Sequence, residues 1–317
     1  MTSAHAGRIV VLCGGIGGSR FLRALAEVVP HERLVAIINT ADDEWFHGLY
    51  VSPDPDIVTY ALAGEVDEER GWGLRGDTFR WLDSLQRFGH ETWFQIGDHD
   101  LATHLHRTRL LRGGVPMTSI VRDVARAFGV DVRLLPMTND RVRTIVETDA
   151  GDQPFQEYLV KHHARDGVRA VRFEGAAEAS PAPGVLEAIN EAQAILIAPS
   201  NPIASIGPVL ALRDIADAIA VSTAKRAAVS PIVDGASLQP PAGEMMAGLG
   251  HAVDVVAVAD IYRGFIDTLV IDEADASRAP AIEEMGIRAI VGATIMRDEA
   301  SRRRLASQVL DALDIPY

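Results

Sequence analysis

Four aspartates in one short stretch, Asp42, Asp43, Asp54 and Asp56, are the residues of this chain best suited to chemistry. Carboxylate oxygens gathered in one place suit a hard cation such as Mg2+, which can bridge the oxygens of a diphosphate. Taken singly, each aspartate is as well explained as a helix cap, Asp43 and Asp56 above all. Ahead of them lies Gly14-Gly15-Ile16-Gly17-Gly18-Ser19, where a backbone without side chains can approach a phosphate. Its spacing is neither the Walker pattern nor a G-x-G-x-x-G in register, and a bare tight turn is the alternative. A later segment, Ser200-Asn201-Pro202-Ile203-Ala204-Ser205-Ile206-Gly207-Pro208, makes a second small, polar turn that could hold an anion or simply join two elements.

A third group, Gly97-Asp98-His99-Asp100 with Thr103, His104 and Arg107, enters a helix. Residues 100, 103, 104 and 107 share one helical face. That face either reaches a substrate or is a solvated surface with Asp100 as its cap. His104, His106, His162 and His163 lack the spacing and third ligand of a zinc site. Cys13 reads as a packed apolar residue, and Ser200 lacks the surround of a hydrolase nucleophile.

The elements that must position these groups are short buried strands. Residues 9–13 form a continuous apolar run that stops at glycines, residues 20–29 alternate at helical spacing, and residues 34–38 form a second run ending at Asn39. Strand, glycine turn, helix and strand open a doubly wound sheet, whose ligands gather at the carboxyl ends of its strands. Further strands are expected at residues 133–136, 144–148, 194–198, 227–229, 252–258 and 268–271, and a loop before a helix at residues 181–184. The expected fold is α/β, a Rossmann-like doubly wound and mainly parallel sheet with a helical insertion. Residues 1–56 and 129–317 form the nucleotide-binding core, and residues 57–128 a mainly helical insertion.

Composition narrows the classes. The 317 residues carry a net charge of −14, which argues against a nucleic-acid surface, and an anionic nucleotide here needs a cation or backbone amides to offset repulsion. Lys161 and Lys225 are the only lysines; the other fixed cations are arginines, which can fork onto phosphate. One cysteine excludes an internal disulfide and fits a reducing compartment, so a cytoplasmic location is expected. No apolar run approaches the roughly 18 residues of a membrane span. The opening MTSAHA is not followed by the long apolar stretch of a leader.

Several of these stretches also carry a resemblance. Residues 11–22, Asn39-Thr40-Ala41-Asp42-Asp43, His47-Gly48-Leu49 and Val51-Ser52-Pro53-Asp54-Pro55-Asp56 resemble the opening of the phospholactate or phosphoenolpyruvate transferase family of coenzyme F-420 biosynthesis. So do Arg70-Gly71-Trp72-Gly73, residues 93–98, residues 100–104, residues 134–141 with Asn139, Phe155-Gln156-Glu157-Tyr158, and residues 198–208, all in order. The resemblance runs from residue 8 to about residue 235.

It implies a guanosine diphosphate ester of phospholactate or phosphoenolpyruvate as donor, the ribityl hydroxyl of 7,8-didemethyl-8-hydroxy-5-deazariboflavin as acceptor, GMP as product and Mg2+ as cofactor. Asp42, with Asp54, would hold the metal; Asp56 would contact the ribityl chain and take its proton. Asp54, His99, Asp100, Thr103 and Asn139 would also face substrate, and the insertion would line the deazaflavin site. Gly15, Gly17, Gly18, Ser200, Asn201 and Ser205 would hold the nucleotide. His99 stands where the family usually has arginine, which turns a fixed charge into a titrating one. After residue 235 the pattern loosens, with Gln239-Pro240-Pro241-Ala242 in place of a basic stretch. A homodimer is left open. Two alternatives remain: a non-catalytic nucleotide-sugar-binding regulator of the same superfamily, and a nicotinamide-dependent oxidoreductase. The first usually has a Gly-Gly-Ser-Ser-Gly stretch where this chain has Glu44-Trp45-Phe46-His47-Gly48-Leu49.

Overall fold

Residues 9–13 and 34–38 are apolar throughout, and a strand of that kind is stable only with both faces covered. That is the observed arrangement in the computed structural model, which describes residues 7–317; the first six residues, read above for a leader, lie outside the described residues. The strands, in chain order, begin with β1 (Arg8–Cys13), β2 (Leu34–Ile38), β3 (Glu44–Phe46), β4 (Leu49–Val51) and β5 (Arg133–Pro136). They continue with β6 (Arg143–Thr148), β7 (Gly151–Pro154), β8 (Val168–Glu174), β9 (Ala192–Ile197) and β10 (Lys225–Val229). The last four are β11 (Ile232–Val233), β12 (Ala236–Ser237), β13 (Thr268–Asp272) and β14 (Arg288–Gly292).

Seven strands form one sheet in the order β14-β13-β10-β9-β1-β2-β5, parallel at every pairing. Counting only these seven, the chain runs outward from first to third strand, then returns to lay the fourth beside the first. This is the Rossmann order with one strand added. Alternation along β1 sends Val10 and Leu12 into one core layer and Ile9, Val11 and Cys13 into the other. Burial also pushes the Cys13 thiol upward, which keeps it a neutral packed group.

Five helices matter for the site: α1 (Gly15–Ala26), α2 (Pro53–Ala63), α3 (Arg80–Gln86), α4 (Asp100–Arg112) and α5 (Met117–Ala127). α1 packs on α2 and on the C-terminal helix Glu299–Ala312, while α5 packs on β5. Helix α2 runs through the expected boundary at residue 57, and α5 covers the core sheet. The part that stands apart from the sheet is therefore narrower than residues 57–128. Among the described residues, no helix is long and apolar enough to cross a membrane.

Several features depart from the sequence expectation. Residues 144–148 are a strand, β6, but it pairs antiparallel with β7 and β8 in a separate three-stranded sheet. Residues 252–258, expected as a strand, lead instead into the helix Val255–Ile261, capped by Asp254, whose Oδ1 accepts from Ala257 N at 2.8 Å. A short apolar run carries no usable period, so its cap decided the outcome. The hairpin β3–β4 and the edge strand β14 carry too little apolar alternation to be read.

The reversal in strand order opens a crevice between β1 and β9, and the two small-residue turns close on each other there. Ser200 Oγ donates to Gly14 O at 2.8 Å and accepts from Gly14 N at 3.3 Å, tying the turns together. A Cβ on Gly17 would stand 2.2 Å from the Pro199 carbonyl oxygen, and one on Gly18 2.5 Å from Ser200 Oγ. These glycines permit turn-on-turn packing, and backbone at residue 199 cannot swing away as a side chain could. Gly17→Ala is therefore expected to lower stability by about 1–3 kcal/mol, the usual cost of overpacking. Thermal unfolding of the purified variant checks this, and an unchanged melting temperature would contradict it.

Candidate active site

Asn39 directly follows strand β2, and this fully buried amide organises the site. Its Nδ2 donates to Asp42 Oδ2 and to Asp54 Oδ2, both at 2.9 Å. Its Oδ1 accepts from Ala41 N at 2.9 Å, which curls the chain so that Asp42 turns back into the crevice. Asp54 arrives from the first turn of α2, and its Oδ1 accepts from Gly15 N at 2.8 Å. Gly15 holds a positive φ of 65°, and a Cβ on Gly14 would fall 2.3 Å from Asp54 Oδ2. The glycine turn thus gives its amide, and the room beside it, to a carboxylate of its own chain.

The other two aspartates face elsewhere. Asp43 Oδ2 accepts from Ser52 Oγ at 2.7 Å. Asp56 Oδ1 accepts from Arg107 Nη2, and Asp56 Oδ2 lies 3.7 Å from His104 Nδ1. The four acids form two sets: Asp42 and Asp54 around Asn39, and Asp43 and Asp56 toward α4.

Burial raises all four carboxyls above their ordinary range. Asp42 is pushed well up by burial and then by the charge of Asp54. Asp54 is pushed to about 6 by burial, against the bonds from Asn39 and Gly15. Burial also raises Asp43, opposed by Ser52 and Arg107, and Asp56, opposed by Arg107 and His104. Only the second set touches a cation. Asp42 Oδ1 is buried with no aligned hydrogen-bond partner; the Thr144 hydroxyl is near enough to lower the carboxyl against burial and the Asp54 charge, and among the described residues no positive group pairs with it.

The first set fits a hard cation. An all-oxygen pair with an unpartnered buried oxygen lacks the charge that would let both carboxylates ionise. Among the described residues no third histidine, cysteine or acid completes a chelate. Mg2+ is commonly held by one or two carboxylates and completed by water and substrate phosphates.

The remaining sequence candidates are distributed unevenly. Ser205 is buried beside Gly14 and Gly15. Asn201 caps the turn after β9, its Oδ1 accepting from Ile203 N at 2.9 Å and Ala204 N at 3.2 Å. The side chains of Ser200 and Asn201 are thus engaged within the protein. Asp100 and Thr103 are buried on α4, with His104 and Arg107 on the same face. The shared face read at residues 100, 103, 104 and 107 is therefore neither solvated nor open, but packed against α2. His99 is exposed, and its N donates to Asp77 Oδ1 at 2.7 Å. Asn139 is exposed and holds the start of α5, accepting from Thr118 N and Oγ1, both at 2.8 Å; it touches neither carboxylate set. Asn39, Ser52 and Asp77 were missed as site residues. Asn39 heads the Asn-Thr-Ala-Asp-Asp stretch, and Gly97 signals Asp77, whose Oδ2 leaves no room for a Cβ there.

Against this geometry, the family model described as 2-phospho-L-lactate transferase CofD matches residues 9–300. The chain belongs to that family. It is a transferase, and the regulator and oxidoreductase alternatives fall away. The 2-phospho-L-lactate transferase of Methanosarcina acetivorans is 39% identical over 306 residues, covering 96% of this chain and 99% of that protein. The phosphoenolpyruvate transferase of Streptomyces griseus is 41% identical over 310 residues, covering 96% and 98%. A crystal structure of a UPF0052 family protein from Bacillus halodurans shares the fold, with a TM-score of 0.65 at 19% identity, covering 96% of this chain and 99% of that one.

The uncompensated pair has a pH signature. A carboxyl raised on folding binds its proton more tightly in the native state, so stability falls as pH rises through the interval between the two values. For Asp54 that interval runs from 3.8 to about 6. The metal-free protein is expected to lose thermal stability across it relative to Asp54→Asn. Mg2+ is expected to raise the melting temperature more at pH 7.5 than at pH 5. Parallel pH curves for both proteins, with no added effect of Mg2+, would contradict this.

Proposed function

We propose that this transferase moves a phospho-three-carbon-acid group, 2-phospholactate or phosphoenolpyruvate, from a guanosine diphosphate ester to the ribityl hydroxyl of 7,8-didemethyl-8-hydroxy-5-deazariboflavin. GMP leaves, and the step belongs to coenzyme F-420 biosynthesis. The observation that carries this reading is the buried Asp42–Asp54 pair at the strand switch point, uncompensated by any cation among the described residues. Identity of 39% and 41%, over nearly the full length, to relatives named for the two three-carbon acids supports the substrate class.

Asp42 and Asp54 would hold Mg2+, which supplies positive charge to the donor's diphosphate oxygens. The other contributions come from the chain. Asn39 fixes the angle between the two carboxylates, and Gly15 fixes Asp54. Asp56 would accept a hydrogen bond from the attacking hydroxyl through Oδ2, which is buried without a hydrogen-bond partner. As the new O–P bond forms and the bond to the GMP oxygen breaks, the hydroxyl proton passes to Asp56. A carboxylate raised by burial is a better base than a solvated one.

A planar acceptor also has surfaces to meet. Trp72 is 36% exposed on a loop whose Gly71 approaches Ile16 of the glycine turn, and Trp45 is 39% exposed on the β3–β4 hairpin. Behind the hairpin, Phe46 stacks on Phe94 at 3.8 Å between ring centroids, which stiffens it. Flat apolar rings of this kind suit a tricyclic deazaflavin.

Incubation with the deazaflavin, Mg2+ and each donor, followed by mass spectrometry of the product, tests the reaction and identifies the acid. A product carrying neither mass increment would refute it. Asp56→Asn is expected to keep its fold and lose about 10²–10⁴-fold in turnover. A rate near that of the unaltered protein would remove Asp56 from the chemistry.

A further inference from the structure

Arg107 is the largest fully buried side chain among the described residues, at 1% exposure, and it lies on the buried face of α4. Burying a guanidinium is costly unless it is paired and hydrogen-bonded, and here both Nη groups are placed while Nε has no partner. Its placement is informative. Nη2 donates to Asp56 Oδ1, and Nη1 donates to His104 Nδ1 at 3.1 Å.

Arginine has no acceptor, so the second bond fixes the imidazole: Nδ1 must present its lone pair. The ring proton then sits on Nε2, which lies 3.1 Å from Asp100 Oδ2 but out of line for a hydrogen bond. Asp100 Oδ1 accepts from Tyr60 Oη at 2.6 Å. Tyr60 lies on α2, one turn beyond Asp56, so the path leaves α2 at Asp56, crosses α4 and returns to α2. Arg107 sets the donor directions at one end and Tyr60 at the other, and between them His104 and Asp100 are in close approach only. Burial opposes the Arg107 charge, and Asp56 outweighs it.

The consequence falls on Asp56. With Oδ1 taken by Arg107, the carboxylate cannot rotate to exchange its oxygens, and Oδ2 is left buried without a partner. We propose that Arg107, held in place by an Nε2-protonated His104, is a positioning residue that locks Asp56 with a single free oxygen directed to the acceptor hydroxyl. This rests on the proposed role of Asp56 in binding that hydroxyl. Arg107 and His104 themselves touch no substrate in this account; they act through Asp56.

A packing role and a positioning role predict opposite rankings at His104. His104→Asn keeps an acceptor near Nδ1, whereas His104→Leu fills the buried space and offers none. If His104 only fills space, Leu is the better substitute; if it orients Arg107, Asn is. Arg107→Lys and Arg107→Gln supply the matching pair at the other residue, one keeping charge and one keeping a planar donor. The measurements are kcat and the KM for the deazaflavin and for the donor, with thermal unfolding and calorimetric GDP affinity in Mg2+ as controls on fold and on the other half of the site.

The expected result is that His104→Asn keeps most of its kcat while His104→Leu loses about tenfold to a hundredfold, with GDP affinity and donor KM unchanged in both. Both Arg107 variants should lose kcat by about 10²-fold, within the range expected when the partner of a general base is displaced. Equal kcat for His104→Asn and His104→Leu, or full kcat in a folded Arg107 variant, would overturn the proposal while leaving Asp56 in place if Asp56→Asn is inactive. An active Asp56→Asn would overturn both. Should the Arg107 variants fail to fold, the His104 ranking alone decides.

Discussion

Two carboxylates hydrogen-bonded to one amide nitrogen, in a crevice that water hardly reaches, are the constraint around which the site is built. Asn39 can donate one hydrogen to Asp42 and one to Asp54, but an amide carries no net charge, so it orients the pair without neutralising it. Like charges at such separation raise each other's protonation, and burial adds to the effect. The surrounding fold makes the arrangement enforceable. The parallel sheet ends β1 and β2 side by side, the glycines let α2 close on the turn, and Ser200 ties the second turn to the first. Relaxing the pair would require moving the backbone of three elements together.

The second acidic set shows the alternative solution to the same problem. There Asp56 has a guanidinium of its own chain, and Asp43 has the Ser52 hydroxyl with Arg107 nearby. One crevice therefore contains acids with an internal counter-charge and acids without one. Internal pairing suits a carboxylate that must stay fixed while a hydroxyl approaches. The lack of pairing suits carboxylates that receive charge from outside, with the anionic donor. In a chain of net charge −14, this division also explains how an anionic nucleotide could be held without a cluster of lysines.

Much of this was legible before any coordinates. Strands β1, β2, β5, β9, β10 and β13 announce themselves because a strand buried on both faces is written as an uninterrupted apolar run. The turns that follow them carry the glycines and acids, so the switch point could be placed as well. What sequence could not supply was orientation. Four aspartates close in the chain look like one cluster, and only the curl at Asn39 and the pitch of α2 divide them into two. The inner face of α4 misleads for a related reason. Asp100, His104 and Arg107 have the composition of a solvated surface, and they are buried because Asp56 and Tyr60 of α2 complete their hydrogen bonds. The helix Val255–Ile261 was hidden because its period is too short to distinguish from a strand and its cap, Asp254, is one residue.

The account stands or falls on whether the Asn39-centred pair is a cation site shared with the donor. Calorimetric titration of the protein with GDP, once in saturating Mg2+ and once in excess chelator, measures that coupling directly. The account predicts binding weaker by about tenfold or more without the metal, a difference of at least about 1.4 kcal/mol. It also predicts that the difference disappears in Asp42→Asn. Equal GDP affinity with and without Mg2+ in the unaltered protein would contradict it.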